Sequence, residues 1–227
     1  MQKYDLIFID ADDTLFDYYC AEQFALTQTF NEFKLDLTNN IVAKYSEINS
    51  LLWSKFEKGE IVQEKLRTER FRLLFKHYKL NCDEFLFSER YLKWLSEGSF
   101  LIEDAEQICE YLNEKYILSI ITNGIKEAQM PRFINSNISK YIQHIIISED
   151  AKFSKPNVGI FDYAMNKIGF YEKNRILIIG DSLTSDIKGG INYGIDTCWL
   201  NNKAIENNTG IVPNYQISRL SEIKHIL

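Results

Sequence analysis

Cysteine is sparse and unpaired in this chain: Cys20, Cys82, Cys109 and Cys198 lie far apart in 227 residues, with no CxxC pair and no histidine pattern beside them. Neither a zinc site nor a redox motif is expected, and packing as a reduced thiol is the default for each. No run of 18 apolar residues occurs, which argues against a membrane-spanning helix. The opening MQKYDLIFIDADD lacks the long apolar core of a secretory signal and points to a cytoplasmic chain. Basic charge is not in excess either: 26 Lys and Arg against 32 Asp and Glu leave a formal net charge of -6. A nucleic-acid polymer or an anionic membrane is therefore not expected as a partner, and a small anionic ligand would need a local cation. Internal repeats and low-complexity segments are absent as well.

What is present is ordinary globular material, 45% hydrophobic and 26% charged, long enough for one larger domain or two modest ones. Residues 20–34, 39–56, 61–78 and 83–96 carry apolar side chains at helical spacing, with Gly59 as a stop between two of them. A seam at LSEGSF, around Gly98, separates this helical stretch from an alternating one. Beyond it the pattern predicts helix 103–114, strand 117–122, helix 126–137, strand 143–148, helix 157–168, strand 175–180, helix 185–193 and strand 196–200. Such alternation predicts an α/β fold, a Rossmann-like parallel sheet flanked by helices. The apolar strand at 4–10 joins this sheet across the helical stretch. Residues 1–15 and 99–227 then form the core, and 16–98 an inserted all-α cap placed to act as a lid, with hinges near 15–19 and 97–100.

The first strand runs into IFIDADDTLFDY, with Asp10, Asp12, Asp13 and Asp17 within eight positions. Ligand crevices in parallel sheets open at the carboxyl ends of strands, so these acids sit where chemistry is expected. Two carboxylates about 4 Å apart repel by roughly 4 kcal/mol at an effective dielectric of about 20, so a cation, raised pKa values or exposure to solvent must offset the cluster. Other strand ends look chemical too. YILSIITNG ends in Thr122-Asn123-Gly124, whose hydroxyl and amide can donate to a phosphate or accept backbone N–H groups as a helix cap. Lys155 precedes Pro156 at a helix start, and RILIIGDSLTSDIKGG places Asp181 at a strand end with Asp186 five residues on. Gly189 and Gly190 suggest close packing of the following helix against the sheet or the phosphate loop. Together Asp10, Asp12, Asp181 and Asp186 supply hard oxygen ligands of the kind Mg²⁺ takes. Thr122, Asn123 and Lys155 supply donors and positive charge for a phosphoryl group. One carboxylate could then attack phosphorus while a second, two residues away, acts as general acid and then base.

DxDxT at Asp10-Asp12-Thr14, Thr122 after a strand, Lys155 before proline and GDxxxxD at Gly180-Asp181-Asp186 resemble, in order and spacing, the four motifs of the haloacid dehalogenase superfamily. The insertion after the first motif resembles that superfamily's helical class 1 cap. The resemblance implies a Mg²⁺-dependent phosphomonoester hydrolase working through an aspartyl-phosphate. Asp10 would be the nucleophile and a metal ligand. Asp12 would be the general acid and base, offering its backbone carbonyl to the metal. Asp181 would be a direct metal ligand, Asp186 would hold metal-bound water, and Thr122 and Lys155 would contact phosphate. Asp12 separates phosphoryl transfer from dehalogenation, which lacks this second acid. Asp13 departs from the more usual glycine.

DADDTLFD, LWSKFEKGEI and GDSLTSDIKGGINYGIDTCWLN are further similar to the house-cleaning pyrimidine 5′-nucleotidases, which implies a nucleoside 5′-monophosphate substrate. A sugar phosphate or phosphoglycolate is the alternative substrate, and a non-catalytic phosphate-sensing or partner-binding protein is the alternative class. In the cap, Trp53, Phe56, Phe71, Phe75, Tyr78, Phe85, Phe87, Tyr91 and Trp94 are expected chiefly as core. Arg67 and Arg70 are expected on a solvated charged face. Tyr18, Tyr19 and the turn FEKGEI are the cap-side candidates for substrate contact.

Overall fold

Leu6-Ile7-Phe8-Ile9 forms β1, and all four side chains are buried because both faces of the strand are covered. A computed structural model describes residues 3–227. Five more strands join β1: β2 (Ile117–Thr122), β3 (His144–Ile147), β4 (Ile176–Gly180), β5 (Asp196–Leu200) and β6 (Tyr215–Ile217). The sheet order is β3-β2-β1-β4-β5-β6, and every pair is parallel. The helices, in chain order, are α1 (Tyr18–Glu32), α2 (Asn39–Glu57), α3 (Gln63–Tyr78), α4 (Glu84–Glu97), α5 (Ala105–Asn113), α6 (Lys126–Ile134), the single turn α7 (Ser148–Ala151), α8 (Val158–Ile168) and α9 (Lys188–Tyr193).

Alternation along the strands sorts the core into two layers. Ile7, Ile9, Leu118, Ile120, Leu177 and Ile179 share one face with Ile108, Cys109 and Leu112 of α5. Leu6, Phe8, Ile121, Ile176 and Ile178 share the other with Ile160, Phe161, Ala164 and Met165 of α8. A fully buried Ile, Leu or Phe contributes about 1.5–3 kcal/mol, so even a four-residue central strand is firmly held. Ile9 pairs with Ile120 on one side and Ile179 on the other, so β1 ends one residue before β4 and two before β2. The Asp10 N–H extends that ladder to the Ile179 carbonyl at 2.9 Å.

The chain divides into two compact units, Met1–Tyr18, Phe100–Lys126 and Phe133–Leu227 in one and Tyr19–Ser99 with Glu127–Arg132 in the other. In the helical unit, Thr38 caps α2 and Asp83 caps α4 by accepting backbone N–H groups. The α2 helix stops ahead of Gly59, whose φ of 73° a residue with a side chain rarely adopts. Phe30, Tyr45, Phe71, Phe75, Phe87 and Tyr91 are buried together, with Phe71 within 5.4 Å, centroid to centroid, of Tyr45, Phe87 and Tyr91. Such ring pairs add about 0.5–1.5 kcal/mol each beyond area burial.

Several expectations require correction. Phe85 is 67% exposed and so is not core, and Cys20 is exposed whereas Cys109 and Cys198 are buried. Arg70 does not lie on a solvated face. It is 1% exposed, its guanidinium lies 5.1 Å from the Phe71 ring centroid and 4.7 Å from that of Tyr91, and it donates to the Asn49 side chain at 3.4 Å and the Arg67 carbonyl at 3.2 Å. Asn49 and Ser46 in turn donate to the buried Glu22, each at 3.0 Å. The tail, which carries no periodic signal, adds β6 at the sheet edge and buries Leu220 and Ile223 against the α5 face. Among the described residues no helix is long and apolar enough to cross a membrane.

Candidate active site

The end of β1 turns sharply. Leu15 and Phe16 N–H groups return to the Ala11 carbonyl at 3.0 and 2.8 Å, and Asp13 N–H donates to the Phe16 carbonyl at 2.8 Å. Asp13 takes φ 59° in this turn, a left-handed conformation that Gly adopts freely and Asp more readily than most residues. Its carboxylate is held by Lys203 Nζ at 2.6 Å. The turn therefore explains both why glycine would suit this position and how aspartate occupies it.

Lys155, 1% exposed, reaches under the strand ends. Its Nζ lies 2.5 Å from Asp10 Oδ1, 2.6 Å from Asp186 Oδ1 and 2.6 Å from the Ile121 carbonyl oxygen. Burial alone would lower the pKa of the ammonium, but Asp10 and Asp186 outweigh burial and raise it. The two carboxylates thus favour the charged form of Lys155. Its backbone is clamped by Asn123: the side-chain oxygen accepts from Lys155 N–H at 2.8 Å, and Nδ2 donates to the Lys155 carbonyl at 2.9 Å and to Ser185 Oγ at 3.3 Å. The Asn123 amide, expected to donate to phosphate, is thus engaged in holding the second strand end to the third and fourth motifs. Thr122, 1% exposed, accepts from Gly124 N–H at 2.9 Å through its hydroxyl.

On β4, Gly180 is demanded by contact: a Cβ there would stand 2.3 Å from Asp186 Oδ2. The expected helix at 185–193 begins as a five-residue π-helical turn, Leu183–Ile187, and continues as α9. That turn folds Asp186 back, so that its Oδ2 accepts from Ser182 N–H at 3.0 Å. Gly190 packs on the sheet, where a Cβ would stand 2.6 Å from Ile178 and Thr197, and Gly189 packs on Phe161. Of the two alternatives for these glycines, Gly190 answers to sheet packing.

Among the described residues, Asp10, Asp181 and Asp186 bring carboxylate oxygens within 4.8 Å of one another. Burial pushes Asp10 well above the ordinary carboxylate range; Lys155 pulls the other way, and Asp186 and Asp181 push it higher. Burial, then Asp186 and Asp13, push Asp181 up to about 8. Three acids facing one lysine leave excess negative charge, and hard oxygen donors so placed fit a divalent cation that would offset it. Asp12 stands outside this carboxylate group; it is partly buried and pairs through its backbone with Phe16. Tyr18 opens α1 partly buried, and Tyr19 is 65% exposed. Sequence reasoning missed Lys203, 190 positions from its partner Asp13, and Trp199, whose indole N–H donates to the Asp181 carbonyl at 2.8 Å.

The family model described as haloacid dehalogenase-like hydrolase matches residues 4–194. The chain is 38% identical over 227 residues to the Putative HAD-hydrolase YfnB of Bacillus subtilis (strain 168), covering 100% of this chain and 97% of that one. It is 32% identical over 226 residues to the Pyrimidine 5′-nucleotidase YjjG of Escherichia coli (strain K12), covering 99% and 98% of the two chains. To the Pyrimidine 5′-nucleotidase PynA of Streptococcus pneumoniae (strain ATCC BAA-255 / R6) it is 34% identical over 215 residues, covering 94% and 91%. A crystal structure of YfnB, bound to magnesium and described as revealing interdomain movement, matches with a TM-score of 0.94 and covers 99% of each chain.

Proposed function

The chain belongs to the haloacid dehalogenase-like hydrolases, and from that premise we propose that it is a Mg²⁺-dependent nucleoside 5′-monophosphatase acting through a phosphoryl group carried on Asp10, with pyrimidine or modified nucleotides as substrates. The observation that carries the reading is the placement of Lys155 between Asp10 and Asp186, with Asp181 beside them. YjjG and PynA, named as pyrimidine 5′-nucleotidases, support the substrate class. The magnesium in YfnB supports the choice of metal.

Asp10 and Asp181 would hold the cation, with the Asp12 carbonyl as a further ligand and Asp186 fixing coordinated water. Bound there, the metal would act as a Lewis acid that neutralises phosphoryl oxygens. Lys155 adds positive charge on the same side, its ammonium form favoured by Asp10 and Asp186. An Asp10 carboxylate oxygen attacks phosphorus, and the bond from phosphorus to the ester oxygen breaks. Asp12 gives its proton to that departing oxygen. Water then gives a proton to the Asp12 carboxylate and bonds to phosphorus, and Asp10 is released as inorganic phosphate leaves. Thr122 is assigned to the phosphate, and Asn123 to holding Lys155 in place. Tyr18 and Tyr19, where the chain passes into the helical unit, are assigned to substrate selection, and that unit to a moving lid, for which the interdomain movement described for YfnB is the support.

The test is phosphate release from a panel of nucleoside monophosphates, sugar phosphates and phosphoglycolate, with and without Mg²⁺. Preference for UMP, dUMP or dTMP, abolished by chelator and restored by Mg²⁺, is expected. Preference for a sugar phosphate would overturn the substrate assignment, and turnover in chelator would overturn the metal site.

A further inference from the structure

The peptide that joins Asp181 to Ser182 is held at both of its polar ends. Its carbonyl oxygen accepts the indole N–H of Trp199 at 2.8 Å, and its N–H donates to Asp186 Oδ2 at 3.0 Å. A peptide unit is planar, so two such bonds on opposite sides fix its rotation and with it the backbone torsion that aims the Asp181 side chain. Trp199 can make this bond because β5 pairs with β4 in a register that sets Trp199 opposite Gly180, the residue before Asp181. The ring itself is 3% exposed and packs with Leu183 and Ile187 of the π-helical turn, with Ile211 against them. A tryptophan buried in a small apolar cluster normally directs its N–H to a nearby acceptor. Here the acceptor belongs to the residue whose carboxylate faces Asp10 and Asp186.

We infer that Trp199 is a positioning residue for the metal centre: its indole N–H orients the Asp181–Ser182 peptide so that the Asp181 carboxylate is preset toward the cation. This rests on the reading of Asp181 as a metal ligand. Without the donor the peptide can rotate, and presetting is lost while the ring's packing can be largely retained. Trp199 would touch neither substrate nor metal, so its contribution should appear in metal affinity and not in substrate binding.

The test measures Mn²⁺ binding to the full chain by electron paramagnetic resonance, alongside Mg²⁺ activation and substrate KM at saturating metal. Trp199→Phe keeps an aromatic ring and removes the donor. The loss of one hydrogen bond predicts a Kd for Mn²⁺ raised about fivefold, with the activating Mg²⁺ concentration shifted in parallel. Substrate KM at saturating metal should stay within about twofold of wild type, because ground-state binding of the ester does not use this bond. Ile187→Val disturbs the same apolar cluster without touching a donor, and should leave the Mn²⁺ Kd unchanged. Should the phenylalanine variant fail to fold, site-specific 3-benzothienylalanine at position 199 preserves the bicyclic shape without the N–H and carries the same expectation. Wild-type Mn²⁺ affinity in the donor-less variants, or an equal shift in Ile187→Val, would overturn the inference. Asp181→Asn separates the two levels: unchanged Mn²⁺ binding there overturns the metal site and this inference with it. Loss of binding in Asp181→Asn with unchanged binding in Trp199→Phe overturns the role of Trp199 alone.

Discussion

Both units of the molecule bury a cation. Lys155 in the α/β unit and Arg70 in the helical unit are each 1% exposed. Their surroundings differ in balance. Arg70 lies beside two aromatic rings, and polar contacts run from it through Asn49 to the buried Glu22. Lys155 meets two carboxylates directly, with a third within 4.8 Å of both, and two of the three are pushed above the ordinary carboxylate range. Burial of charge therefore does not by itself mark a working site. Charge left uncompensated by the protein does, because the deficit is what a cation and a reacting phosphoryl group can fill.

The sharpest way to break this contrast is to remove one member from each region. Asp10→Asn should lower phosphate release by roughly 10⁴-fold or more, as loss of a nucleophile does, while leaving the fold intact. Steady-state assay and thermal melting would check the pair of outcomes. Arg70→Ala should do the reverse, costing about 2–5 kcal/mol of stability because a large buried side chain packed on two rings is removed and its bond to Asn49 is lost, as urea denaturation would measure. A large activity loss in a stably folded Arg70→Ala protein would dissolve the distinction between the two regions.

Legibility followed the range of the signals. Hydrophobic period and length carried the parallel sheet and the four long helices of the insertion, since each spans several turns or a run of buried aliphatics. The strand-end acids were readable because they follow such runs immediately. β6 was not, as Tyr215–Ile217 is three residues long and offers no period. Arg70 was misread because charged neighbours at helical spacing look alike whether they face water or a stacked ring. The engagement of Asn123 with Lys155, the pairing of Lys203 with Asp13 and the bond from Trp199 to Asp181 each join residues distant in sequence, and no local pattern announces them.

Two smaller effects are expected at partly exposed ion pairs that involve neither buried cation. Asp13→Gly relieves a left-handed residue but releases Lys203 from a partly exposed pair, so stability should change by less than about 1 kcal/mol in either direction, measured by urea denaturation. The smallest effect belongs to Asp5, whose pKa the hydrogen bond to Arg175 holds below its ordinary value of 3.8. A depressed folded pKa stabilises the fold above the unfolded value and loses that contribution as pH falls through the folded one. Asp5→Asn should therefore flatten the acid limb of the stability profile below about pH 4 and leave neutral-pH turnover untouched.

The central claim is that the crowded carboxylates serve covalent phosphoryl transfer on Asp10. Acid quenching of a single turnover with UMP and Mg²⁺, followed by peptide mass spectrometry, tests it most directly. One phosphoryl group is expected on the peptide carrying Asp10, absent in chelator and in Asp10→Asn. Full phosphate release with no phosphoryl group on that peptide at any quench time, or one carried on another residue, would contradict it.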